Sequence, residues 1–223
     1  MAGKVNILSG YNYMNKKNMV GSVAVITQMV GEIDYVNQAD LHTLYNSDWD
    51  IISHTYSHKN LNKIDKKEQF SEISKADKWL YKNGFISLYK TIVYPEGDYN
   101  SSTEEIMKEL NYDSGRTTIE GFNTNNLYDL HGVKVKNILY DTNVNDVYNW
   151  VDYTINNNVT LILLFHKLES DTPKTFMEYN KNDFYKIIDY IDEKRDDLNI
   201  INYSDWIQII LNDKEIETEL LQG

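Results

Sequence analysis

The apolar positions of the chain fall into two alternating kinds of segment. Short apolar runs, several of them rich in β-branched residues, occur at 22–27, 48–53, 88–94, 159–165 and 198–203 and each predicts a strand, with 113–117 and 133–140 read as strand-like between them. The stretches between them carry apolar residues at helical spacing and predict helices over 34–46, 64–83, 102–110, 143–157, 183–195 and 204–211. The spacing is clearest in 64–83, where Phe70, Ile73, Ala76, Leu80 and Tyr81 share one face and Gly84 stands at the stop position. Ser102 and Glu105 predict a capping box for 102–110, and Ser204 a cap for the last helix. Residues 4–17 tolerate a helix whose end, Lys16-Lys17, suits the negative pole of the helix dipole.

Strands that are apolar throughout belong to a parallel sheet covered on both faces or closed into a barrel. The fold class is therefore α/β, and functional groups are expected at the C-terminal ends of the strands. Five places meet that condition: His54 and His58 after the second run, Pro95-Glu96-Gly97 after the third, Arg116 on the fourth and His166 at the end of the sixth.

Composition narrows the reading. The chain has 223 residues, 41% of them hydrophobic and 13% aromatic, which suffices for one core, and no linker-like or repeated stretch divides 1–223. A net charge of −12 repels nucleic acid and anionic membrane alike. The absence of cysteine excludes thiolate zinc sites and disulfides. No apolar run approaches the ~20 residues of a membrane span, and the opening MAGKVNILSG lacks the apolar centre of a signal peptide. Eighteen tyrosines suit a carbohydrate surface and ordinary strand packing equally.

The chemistry centres on His54 and His58. Two imidazoles at this spacing reach one divalent ion if the chain turns back on itself; otherwise they are polar residues solvated at a strand end. His166 ends the most apolar run, and His42 and His131 read as structural or solvent-facing.

Taken in order, these segments resemble the motifs of the polysaccharide deacetylases, the NodB-homology carbohydrate esterases of family four. HTYSH at 54–58 resembles the second motif, H-[ST]-x-x-H, which supplies two metal-binding histidines. YPEGDYN at 94–100 resembles the third in its YPxGxxN form, GRTT at 115–118 lies where the fourth belongs, and LFH at 164–166 resembles the fifth, LxH. The resemblance covers nearly the whole chain and implies a distorted (β/α) barrel. It also implies metal-dependent removal of acetyl groups from an N-acetylated polysaccharide, chitin-, peptidoglycan- or poly-N-acetylglucosamine-like, in an extracellular or cell-wall setting. The implied cofactor is a divalent ion, zinc first, on His54 and His58, with His166 as general acid. Tyr94, Pro95, Glu96, Gly97, Arg116 and Leu164 are implied to line the substrate site, with backbone N–H groups of the 95–99 turn facing the oxyanion. A catalytically degenerate carbohydrate-binding or scaffold module and an O-acetyl, xylan-type esterase are the alternatives.

The departures shape the expectations. Val93 stands where the family's third motif opens with arginine, and Glu96 where an aromatic is usual. Arg116 either replaces the missing charge or makes a surface ion pair. The first motif, TFDDG, whose aspartates are base and third ligand, is not found; spacing back from YNYM at 11–14 puts its end near or just before residues 1–3. The expectation is a barrel incomplete at its first strand, with an edge at 22–27 covered by N-terminal residues or by a second copy. Asp50, Glu96 and Asp98 are the candidate replacement carboxylates, Asp50 at the wrong end of its strand. Without one the chain is expected to bind metal weakly and to catalyse poorly.

Overall fold

A computed structural model describes residues 4–124, 129–169 and 173–222. The expected first-motif junction at 1–3 lies outside those residues. Six parallel strands pair in chain order: β1 (Ser22–Val25), β2 (Asp50–Ser53), β3 (Thr91–Val93), β4 (Ser114–Glu120), β5 (Val133–Asn137) and β6 (Leu163–Leu164). The sheet is curled into a half-barrel. Seven helices accompany it: α1 (Lys4–Asn15), α2 (Gln38–Tyr45), α3 (Lys66–Lys82), α4 (Ser101–Glu109), α5 (Val144–Asn157), α6 (Lys181–Glu193) and α7 (Tyr203–Gln222). Two short strands, β7 (Lys167–Glu169) and β8 (Glu178–Asn180), pair separately. Among the described residues no helix is long and apolar enough to cross a membrane.

Burial on both faces explains why the strands are apolar throughout. Successive residues of a strand point to opposite faces. Ile92 packs with Leu61 and Ile73, and with Ile106 and Met107 of α4, on one side. Its neighbour Val93 joins Ile52, Val133 and, from α7, Trp206, Ile207 and Ile210 on the other. An alternating strand would have exposed one of these faces to the wrong solvent.

Local chemistry sets the helix ends. Asp65 accepts from the Glu68 N–H to start α3, and Gly84 follows it at φ +78°. The box on α4 begins two residues earlier than Ser102 suggests. Asn100 accepts from the Thr103 N–H at 3.1 Å, and the Thr103 hydroxyl accepts from the Asn100 N–H at 3.2 Å. Such a cap contributes about 1 kcal/mol, and asparagine outranks most residues there.

Three segments differ from the sequence pattern. Of 159–165, only Leu163–Leu164 is strand, because this run closes the sheet and pairs with β5 alone; Thr160 instead bridges antiparallel to Asn123. Residues 198–202 form no strand, and Asn202 accepts from the Asp205 N–H at 2.8 Å to open α7. Strands β7 and β8 each carry one buried apolar residue, Leu168 and Tyr179, too little to signal a strand.

The outer edge of β1 has no strand beside it among the described residues. Helix α1 packs against side chains of β1. Its Ile7 shares with Val23, Val25, Val36 and His54 a slot of about 40 Å³, and Tyr11 packs into the same core as Val23 and Trp49.

Candidate active site

His54 and His58 leave the C-terminal end of β2 on a loop that doubles back. Their rings meet edge to face, with centroids 4.6 Å apart. The His54 Nδ1 lies 2.7 Å from the Val93 carbonyl, which fixes Nδ1 as the N–H and leaves the Nε2 lone pair free. Doubling back requires left-handed backbone at Thr55 (φ 63°) and His58 (φ 65°). Each costs about 1–2 kcal/mol in a residue with a Cβ.

Glu72 on α3 offsets that strain. Its carboxylate accepts from the Ser57 N–H and the Ser57 hydroxyl, both at 2.7 Å, and its carbonyl accepts from the Tyr56 N–H at 3.1 Å. The His58 N–H closes the loop onto the Thr55 Oγ1 at 3.1 Å. Glu72 is a positioning residue that the motif reading passes over. Its signal is there in the sequence: a carboxylate on the buried face of α3 beside Ile73 and Ala76.

The turn after β3 is a second left-handed bend, Glu96 at φ 60° and Gly97 at φ 80°. A Cβ on Gly97 would overlap Thr118, so glycine is required by space as well as by φ. The Gly97 N–H is donated to the Tyr94 carbonyl at 3.0 Å and the Asp98 N–H to Pro95 at 3.3 Å. The turn therefore spends the Gly97 and Asp98 N–H groups; Pro95 has none, and among the described residues the Glu96 and Tyr99 N–H groups are the donors it leaves. The Glu96 carboxylate is engaged by other side chains. Asn60 Nδ2 donates to it at 2.7 Å and Lys63 Nζ lies at 3.1 Å; these bonds hold it below the usual carboxylate range. Asp98 accepts from the same Asn60 amide at 2.9 Å. Asp50 sits at the far end of β2, bound to Ser22 and to the Ser204 N–H. None of the three candidate carboxylates joins His54 and His58, and no group of three metal-ligating side chains occurs among the described residues.

Tyr94 and Pro95 are buried. The Tyr94 hydroxyl donates to the Met107 sulfur at 3.0 Å and its ring stacks on Tyr99, so it supports the turn from the core rather than lining an open site. Gly115 makes room for it: a Cβ there would overlap the Tyr94 hydroxyl.

Arg116 is 8% exposed. It makes no surface ion pair; its Nη1 donates to the Thr117 carbonyl at 3.2 Å, and no carboxylate pairs with it among the described residues. Burial alone lowers its pKa to about 10. His166, at the end of β6, is pushed down to about 4, by burial first and then by the charges of Arg116 and His58 among others. Burial likewise lowers His58, and burial with the neighbouring His58 lowers His54 well below the ordinary imidazole value. Leu164 lies half-buried two residues before His166, its carbonyl accepting from the Ile138 N–H at 2.9 Å. His42 stacks on Phe85, and the His131 N–H is tied to Asp129, both structural.

The site thus places three neutral imidazoles at the C-terminal ends of β2 and β6 and one buried guanidinium on β4 beside Val93, the last residue of β3. Neutral imidazoles suit a divalent ion, and His54 and His58 fit as part of a donor set that usually numbers about three protein ligands at a catalytic zinc.

Comparison with known proteins points to one family. The sequence model of the family described as polysaccharide deacetylase matches residues 6–115, which include both histidines of the loop and the turn at 95–97. YxkH of Bacillus subtilis (strain 168), whose name places it with the polysaccharide deacetylases, is 28% identical over 132 residues, 58% of this chain and 47% of that protein. The chain therefore spans about half the length of this curated relative. The Streptococcus pyogenes deacetylase PplD in complex with acetate superposes with a TM-score of 0.50 at 25% identity, covering 56% of this chain and 57% of that one. A Mycobacterium smegmatis structure named for the same class reaches a TM-score of 0.69 over 93% of this chain and 77% of that one, and at 10% identity it speaks for the fold alone.

The depressed histidines make stability pH-dependent. A group whose folded pKa lies below its unfolded value of about 6.5 takes up its proton first in the unfolded chain. Its contribution is complete above that value and is lost as pH falls toward about 4 for His166. The thermal midpoint of metal-stripped protein is expected to fall across this window, and His166→Gln to shrink the fall. An unchanged midpoint in both proteins would contradict the assignment.

Proposed function

Because the chain belongs to the polysaccharide deacetylase family, we propose that it hydrolyses acetyl groups from an N-acetylated polysaccharide of the chitin, peptidoglycan or poly-N-acetylglucosamine kind. The observation that carries this reading is the placing of His54, His58 and His166 within electrostatic reach of one another and of Arg116, which no carboxylate pairs among the described residues. A divalent ion on His54 and His58, zinc first, would polarise the acetyl carbonyl and acidify a water. His166, neutral at pH 7, accepts the proton of the attacking water. As imidazolium it then gives that proton to the amine nitrogen as the C–N bond breaks, releasing acetate and a free amine. The Glu96 N–H is the backbone donor for the developing oxyanion, a role indifferent to the side chain at that position. Arg116 adds a buried positive charge that favours the anionic transition state and the acetate product. Acetate is also what the PplD structure holds. Leu164 offers an apolar wall to the acetyl methyl.

A second reading is a carbohydrate-binding module that keeps the fold without the chemistry. It is favoured by one observation: no group of three metal-ligating side chains forms among the described residues. Acetate release from N-acetylglucosamine oligomers and from acetylated xylan, measured with zinc present, separates the readings. Release is expected from the N-acetyl substrate, and His166→Ala is expected to lower kcat by about 10²–10⁴-fold. Release from xylan alone would favour the O-acetyl esterase. Oligomer binding without any release would favour the binding module.

Helix α1 packs against Val23 and Val25 of β1, the strand whose edge self-association would have to use. Sedimentation velocity is expected to show a monomer. A concentration-dependent dimer would show that the edge is open to a second copy.

A further inference from the structure

A second recess opens beside the candidate site. The segment after β5 runs alongside the end of β6, where the Ile138 N–H is donated to Leu164 at 2.9 Å. Two residues on, the Tyr140 N–H is donated to the Phe176 carbonyl at 3.1 Å, and the Lys167 N–H, next to His166, to Met177 at 3.3 Å. These bonds bring Tyr140, Phe176 and Met177 to the rim on which His166 stands. All three side chains are exposed, Tyr140 at 56% and Phe176 at 58%. Behind Tyr140 lies a cleft of about 510 Å³, walled by the loop before α5 and the first turns of α5 and α6.

We propose that this cleft is a binding subsite for a sugar unit of a neutral glycan, distal to the unit held at His166. The inference rests on the deacetylase reading for its substrate class. The volume falls in the range of about 300–1,000 Å³ typical of small-molecule sites. The lining is polar: Asp141 and Asn145 stand beside Tyr148, whose hydroxyl donates to the Lys186 carbonyl at 3.3 Å, and the Lys186–Asp183 ion pair at 2.7 Å. Tyr148 is stacked on Tyr190 at 4.0 Å, and Tyr190 is anchored by its hydroxyl to Asp152 at 2.7 Å, which makes a rigid wall. Tyr140 presents an exposed aromatic body with a polar tip at the mouth, the kind of surface on which a sugar ring stacks. A net charge of −12 and two carboxylates in the lining select against an anionic polymer. The backbone bonds of Phe176 and Met177 link the segment of Tyr140 to that of Lys167, next to His166, which is the juxtaposition an extended chain would use.

The test is calorimetric binding of the β-1,4-linked N-acetylglucosamine dimer and hexamer, with acetate release measured on both. Tyr140→Ala and Asn145→Ala change exposed side chains and are expected to leave the fold intact. The hexamer is expected to bind Tyr140→Ala about tenfold or more weaker than the original chain, a loss of one well-placed contact. Asn145→Ala is expected to follow in the same direction, the dimer to be unaffected by either, and His166→Ala to keep hexamer affinity while losing turnover. Hexamer affinity unchanged in both cleft variants overturns the subsite, as does an equal loss for dimer and hexamer. Hexamer binding that depends on Tyr140 in a chain that releases no acetate overturns the catalytic reading and leaves the subsite standing.

Discussion

Everything at the candidate site hangs on the carboxylate of Glu72. Two histidines four residues apart are common enough on a loop; bringing their rings to 4.6 Å requires left-handed backbone at Thr55 and His58. That backbone is unfavourable by itself. Glu72 holds it by taking three donors from Tyr56 and Ser57, one through its carbonyl and two through its carboxylate. Because Glu72 sits on α3, the loop geometry is fixed by the same helix whose Ile73 packs against Ile92 of the sheet. Core packing and site geometry are thus one construction: Glu72 ties the loop to α3, and the Val25 and Val93 carbonyls tie His54 to the sheet.

The electrostatics follow from the sheet. Parallel strands buried on both faces leave little water at their C-terminal ends, so the groups placed there lose solvation. Arg116 has no counter-charge among the described residues, and the three histidines resist protonation. A pocket of this kind rejects protons and attracts anions, which suits a reaction whose transition state is an oxyanion and whose product is a carboxylate. The carboxylates near it are engaged elsewhere: Glu96 and Asp98 by Asn60, Asp50 by Ser22 and Ser204.

Much of this was legible in the sequence, for physical reasons. Continuous apolar runs at 22–27, 48–53 and 88–94 announce two-sided burial, and β1, β2 and β3 lie within them. The amphipathic stretch at 64–83 contains α3 with Gly84 just beyond it. The runs at 159–165 and 198–203 were equally apolar, but apolarity reports burial and not pairing: the first stands at the sheet's edge and the second leads into α7. The histidines declared themselves by spacing. What holds them did not, because Glu72, Asn60 and the Val93 carbonyl act through contacts 15 to 39 residues away in sequence. Tyr94 shows the converse error, since a residue inside a motif turned out to serve the core.

The central claim is that His54 and His58 form one metal-binding pair on a loop set by Glu72. Its most direct test is calorimetric titration of zinc into the metal-stripped chain, with His54→Ala alongside. The account predicts one-to-one binding, weaker than a site with three protein ligands gives, and its loss in the variant. Zinc binding of equal strength in both proteins, or none in either, would contradict it.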